Sequence, residues 1–118
     1  IDLNSFLELG NLEELFFSNN QIEKINKSLF INLKKLQKLY LRSNKISIIE
    51  KYSFESLNKL KILYLESNDL EFIEKHTFSG LFGLEILELS QNPLYYIEPY
   101  AFLDLKRLNL KLKLNNFK

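Results

Sequence analysis

The 118-residue sequence contains no cysteine. That excludes a disulfide framework, a thiolate zinc site and a thiol nucleophile. Glycine is scarce, at three in the whole chain, so no glycine-rich loop exists to cradle a phosphate. No apolar run approaches the roughly 20 residues that span a bilayer, which argues against direct membrane insertion by this segment. Excess charge is missing too: 16 basic residues face 15 acidic ones, a net charge of +1. On that balance neither nucleic acid nor an anionic membrane is the expected partner. Neither a Ser/His/Asp arrangement nor a convergent carboxylate pair occurs. The expectation is a chain that is not an enzyme and has no cofactor and no metal site.

What is present is a globular balance, 46% hydrophobic and 26% charged, in a length suited to one domain. The order of the residues is more telling. "LYLRSN" at 39–44 returns as "LYLESN" at 63–68, a step of 24. The same step links Asn20, Asn44, Asn68 and Asn92. It also links Leu15, Leu39, Leu63 and Leu87, then Ile25, Ile49, Ile73 and Ile97, then Phe30, Phe54, Phe78 and Phe102. Seven apolar columns and one Asn column hold over four cycles, far beyond chance. After Leu108 the pattern breaks. "LKLKLNNF" fits if one residue is deleted, which puts Leu110, Leu112 and Asn115 in the repeat roles and Lys111 in the column of Tyr40.

Within "LYLRSN" the leucines alternate with Tyr40 and Arg42, the period of a strand with one buried and one exposed face. So short a strand must pair with its equivalents in the cycles before and after, which builds a parallel sheet. The phenylalanine column, with Phe6 at its start, predicts a stacked spine on the far side of the core. The stretches "FINLKKL", "FESLNKL", "FSGLFGL" and "FLDLKRL" space apolar residues by three, which suits a short helical or 3₁₀ turn. A sheet and return segments of unequal width curve such a stack, with the sheet on the concave side.

The cycle L-x-x-L-x-L-x-x-N-x-I-x-x-I-x-x-x-x-F-x-x-L-x-x resembles the leucine-rich repeat in its 24-residue form, over essentially the whole chain. The resemblance implies an α/β fold class: a right-handed solenoid with irregular or short 3₁₀ return segments on the convex face. Residues 1–118 are expected to form one such solenoid of about five strands. The resemblance also implies that Asn20, Asn44, Asn68, Asn92 and Asn115 cap backbone groups as a ladder. Both ends fall mid-cycle with nothing covering the core, so the segment is expected to belong to a longer solenoid. The return-segment pattern resembles animal extracellular repeats, which implies an extracellular or cell-surface setting.

The letters between the repeat residues are the ones free to carry function. The central exposed column is Phe16, Tyr40, Tyr64 and Glu88. It is flanked by Lys38, Ile62 and Ile86 on one side and by Arg42 and Glu66 on the other. Strands about 4.8 Å apart make Phe16, Tyr40 and Tyr64 a continuous ladder facing water. Each ring offers roughly 150–250 Å² for burial, and aromatic residues and Arg are the usual interface anchors. The alternative is that cross-strand rings merely stabilise the sheet, by about 0.2–1 kcal/mol each. Arg42 and Glu66, adjacent in one column, are expected to form a surface ion pair.

Other positions read more plainly. Ile48, Phe72, Tyr95 and Tyr96 are expected to be partly buried against neighbouring repeats. His76, in a variable column with Tyr52 and Tyr100, reads as a solvated surface residue, and Glu50, Glu74 and Glu98 as solvated charge. Asn26-Lys27-Ser28 is an N-glycosylation acceptor triplet. The leading functional expectation is a recognition module for a protein ligand on the concave face, part of a receptor, adhesion or secreted protein. Alternatives are a structural spacer or a homo-oligomerisation surface, and, more weakly, glycan binding through the ring ladder.

Overall fold

The computed structural model describes residues 9–108 and 112–113. Its frame is a five-stranded parallel sheet of strands β1 (Glu14–Phe16), β3 (Lys38–Tyr40), β5 (Ile62–Tyr64), β7 (Ile86–Glu88) and β9 (Leu112–Lys113), in that order. Register follows the repeat: Leu15 pairs with Leu39, Leu39 with Leu63, and Leu63 with Leu87. These leucines point inward and are buried, while the residue on either side of each points out. Four shorter strands follow the Asn positions: β2 (Lys24–Ile25), β4 (Ile48–Ile49), β6 (Phe72–Ile73) and β8 (Tyr96–Ile97). They pair as β2 with β4 and β6 with β8, because the second isoleucine column (Ile25, Ile49, Ile73, Ile97) has the same in-out alternation.

The α component of the expected α/β class is absent: no helix occurs among the described residues. The return segments are successive turns instead. Leu33 N donates to Phe30 O at 3.0 Å and Leu36 N to Leu33 O at 3.1 Å. The same bonds recur at Leu57 and Leu60, at Leu81 and Leu84, and at Leu105 and Leu108. Seven residues from Phe to the last Leu are too few to offset the cost of nucleating a helix. Isolated i to i+3 turns bring Leu33 and Leu36 inward at each apolar step.

The phenylalanine spine forms as the spacing predicts. Phe30, Phe54, Phe78 and Phe102 stack at ring-centroid distances of 6.0, 6.1 and 6.1 Å. The first three are buried and Phe102 is half-buried. Phe6 lies outside the described residues. One return segment needs glycine: Gly80 has φ +91°, and a Cβ there would lie 2.8 Å from the Glu55 backbone.

The asparagine column ties coil to coil. Asn68 Nδ2 donates to Leu65 O at 2.9 Å in its own coil and to Leu41 O at 3.0 Å in the coil before. Its Oδ1 accepts from Ile46 N at 3.0 Å. Asn44 and Asn92 repeat this set and are buried. The residue before each Asn takes φ near +60°: Asn19, Ser43, Ser67 and Gln91. That left-handed step turns the chain so that the amide reaches back to the strand carbonyls. Asn20 departs from the ladder. It is exposed and, among the described residues, donates to Phe17 O and Ser18 O of its own coil. Asn115 lies outside the described residues.

The last strand departs from the expected register. Leu112 pairs with Leu87 and Lys113 with Glu88. The final cycle therefore gains a residue instead of losing one, and Lys113, not Lys111, continues the column of Tyr40. Alternating "LKLKL" has period two. A slip by two residues keeps the leucines on the same face, and the sequence pattern alone does not separate the two registers. Leu110 and Lys111 lie outside the described residues.

Candidate functional site

The outward face of the five-stranded sheet gathers the central column. Register places Phe16 beside Tyr40, Tyr40 beside Tyr64 and Tyr64 beside Glu88. The Phe16 and Tyr40 rings stack at 4.5 Å with planes 5° apart. Tyr40 and Tyr64 meet edge to face at 5.1 Å and 65°. Both geometries suit the ring quadrupole. Phe16 is 67% exposed, while Tyr40 and Tyr64 are half-buried against their neighbours. Ile62 and Ile86, also half-buried, pair side by side in the adjacent column. The result is an apolar strip with phenol groups along it.

Charge frames the strip. Lys38, expected to point at a partner, forms an ion pair with Glu14 at 3.9 Å on the neighbouring strand. The expected Arg42–Glu66 pair does not form: no ion pair joins them among the described residues, and Arg42 is exposed. Glu66 is half-buried instead, with one carboxylate oxygen, Oε1, out of water and without a hydrogen bond. Its charge lies near the Tyr64 phenol. Burial, first, and then the Tyr40, Glu88 and Glu66 groups push the Tyr64 pKa above its ordinary value. Tyr64 therefore stays a neutral hydrogen-bond donor at physiological pH.

Several positions outside this strip behave differently from the sequence reading. Ile48, Phe72, Tyr95 and Tyr96 are exposed rather than partly buried. Register puts Ile48 beside Lys24 and Phe72 beside Tyr96, on the outward side of the short strands. The glutamate column keeps much of its exposure, as solvated charge would, but also bonds between coils. Glu50 accepts from Lys27 N at 2.6 Å, and Glu98 from Lys75 N at 3.1 Å. Glu50 also pairs with Lys24, and Glu74 with Lys51. These carboxylates link consecutive coils. His76 is half-buried, stacked on Tyr52 at 4.8 Å and within 3.1 Å of Ser79 Oγ through Nδ1. Asn26 is half-buried just after β2, outside the five-stranded sheet. Among the described residues no three His, Cys, Asp or Glu side chains converge on a metal position. No helix long and apolar enough to cross a membrane occurs among the described residues.

The leucine rich repeat family pattern matches residues 10–70 and 58–117. The chain belongs to the leucine-rich repeat family. No curated protein matches it. Among solved structures it is similar to TLR13 in a complex with ssRNA13, at 40% identity and a TM-score of 0.85. That match covers 98% of this chain and 16% of the TLR13 chain. It is also similar to the Drosophila Toll–Spatzle complex, at 27% identity and a TM-score of 0.80, over 88% of this chain and 14% of that one. The leucine-rich repeat domain of APL1B matches at 28% identity and a TM-score of 0.74, over 82% of this chain and 33% of that domain. The chain thus spans a small part of each of these relatives. One of them is solved with RNA, so the exclusion of nucleic acid drawn from a net charge of +1 does not hold. Net charge averages over all faces of a solenoid and says little about any one of them.

Proposed function

We propose that this segment is a non-enzymatic recognition module that takes a protein ligand on the outward face of its five-stranded sheet, within an extracellular or cell-surface protein. The observation that carries the reading is the Phe16–Tyr40–Tyr64 ring ladder, presented to water by a sheet that does not need it. The fold demands the inward leucines and the asparagines. It does not demand aromatic side chains on the opposite face. Ile62 and Ile86 widen the patch toward the size typical of interaction sites, and Lys38, Arg42, Glu66 and Glu88 supply the polar rim. The protein complex of Toll with Spatzle supports a protein partner for a related solenoid.

A second reading is single-stranded nucleic acid on the same ladder. Stacked exposed rings suit successive bases, and the TLR13 relative is solved with ssRNA. We infer that the protein ligand is the better fit, because Glu66 and Glu88 flank Tyr64 and oppose a phosphate backbone.

Replacing Tyr40 and Tyr64 together by alanine tests the module. Ligand binding is expected to be lost, with a hot-spot cost of about 2 kcal/mol or more. Unfolding stability is expected to fall by no more than roughly 1–2 kcal/mol, the worth of the two cross-strand ring contacts. Unchanged binding with reduced stability favours a structural spacer.

A further inference from the structure

The net charge of +1 conceals a segregation of charge on one edge of the coil stack. Between the buried Leu33 and Leu36 columns lie two adjacent exposed columns. Over the described coils they carry Lys34, Lys35, Lys59, Lys106 and Arg107, and no acidic residue. All five are exposed, and none takes part in an ion pair among the described residues. Lys24, Lys38, Lys51 and Lys61, outside these two columns, are each paired with a glutamate of a neighbouring coil. The edge has a hollow of about 410 Å³, lined in part by Asn58, Lys59, Phe82, Gly83 and Arg107. Gly83 stands where the coils on either side carry Lys59 and Arg107, and its missing side chain opens the floor. Phe82, 56% exposed, forms one wall.

We propose that this edge is a second binding surface, for a linear sulfated polysaccharide laid across the coils. The cations belong to three coils and rise along the stack axis, so a small anion meets few of them and a linear polyanion meets them in series. Lys59 and Arg107 stand two coils apart, roughly 10 Å at the strand spacing, with the hollow between. Four of the five cations are lysines, flexible point charges that suit a polyanion of repeated, diffuse charge rather than one fixed oxyanion. A single ring, Phe82, offers one apolar contact, whereas single-stranded nucleic acid calls for successive stacking platforms. The surface is separate from the sheet face and does not rest on the reading above.

The test is the affinity of the full chain for a labelled heparin fragment at about 0.1 M salt, beside a single-stranded oligoribonucleotide of matched charge. The heparin fragment is expected to bind more tightly, and less so as salt is raised. Lys59→Gln with Arg107→Gln should weaken binding about tenfold. Gly83→Lys should strengthen it. A Cβ at position 83 meets only carbonyl oxygens, at 3.7 and 3.8 Å, which is ordinary contact. Circular dichroism verifies that each variant is folded, and the gain expected of Gly83→Lys does not depend on a destabilised protein. Absent heparin binding, or affinity that neither variant changes, overturns the proposal. So does tighter binding of the oligoribonucleotide that is lost in Phe82→Ala.

Discussion

At the scale of the residue, the asparagine column shows how one letter can serve opposite ends of the structure. Asn68 satisfies backbone groups of two coils, so replacing it leaves buried donors and acceptors without partners. Asn68→Ala should cost about 1–3 kcal/mol in chemical denaturation. Asn20→Ala should cost well under about 1 kcal/mol, because Asn20 is exposed and water replaces its bonds. The sequence offers no way to tell these two apart, since both stand in the same column. What differs is that the Asn68 side chain is buried between two coils and that of Asn20 is exposed. Tyr64 gives a second residue-scale outcome. Its phenol pKa is raised by burial and nearby negative charge, so the folded state holds that proton more tightly than the unfolded chain. The associated stability is complete below the ordinary tyrosine range, near pH 10, and is lost as pH rises from there through the folded value. Tyrosinate absorbance in an alkaline titration should show one phenol titrating late, and Tyr64→Phe should remove it.

At the scale of the element, the strands and the spine were the most legible features. Period two around the inward leucines identifies β1, β3, β5 and β7, and a constant step of 24 fixes their register. The phenylalanine stack follows from the same step. Legibility failed where the pattern permits two solutions of equal burial. "LKLKL" allows β9 to slip by two residues without moving a leucine into water, and only pairing with β7 decides. It failed also for the return segments, where spacing by three is shared by a 3₁₀ or α-helical turn and by isolated turns. The exposed side chains of the sheet face were legible as positions but not as partners. Lys38 found Glu14, while Arg42 and Glu66 form no ion pair among the described residues, because long flexible side chains choose among several near-equal neighbours. The spine predicts a gradient along the stack. Phe54→Ala, in a fully packed layer, should cost about 3–5 kcal/mol. Phe102→Ala should cost less, because Phe102 is only half-buried. Equal losses in urea denaturation contradict this account of the core.

At the scale of the whole molecule, each coil contacts the coils before and after it, and the repeat residues are spent on that stacking. Function is then left to the faces that the stacking does not use. The outward sheet face carries rings, the opposite edge of the turn carries cations, and the glutamate column links coils between them. A net charge near zero summarises none of this, which is why composition argued too broadly against a polyanionic partner. The central claim is that the ring ladder contacts a protein. The most direct measurement places a photo-crosslinking amino acid at Tyr40 in the full chain, exposed to a mixture of secreted and cell-surface proteins. The account predicts a defined protein adduct that Tyr64→Ala abolishes and that a crosslinker at Glu55, on the return segment, does not give. An adduct sensitive to ribonuclease, or none from a folded chain, contradicts it.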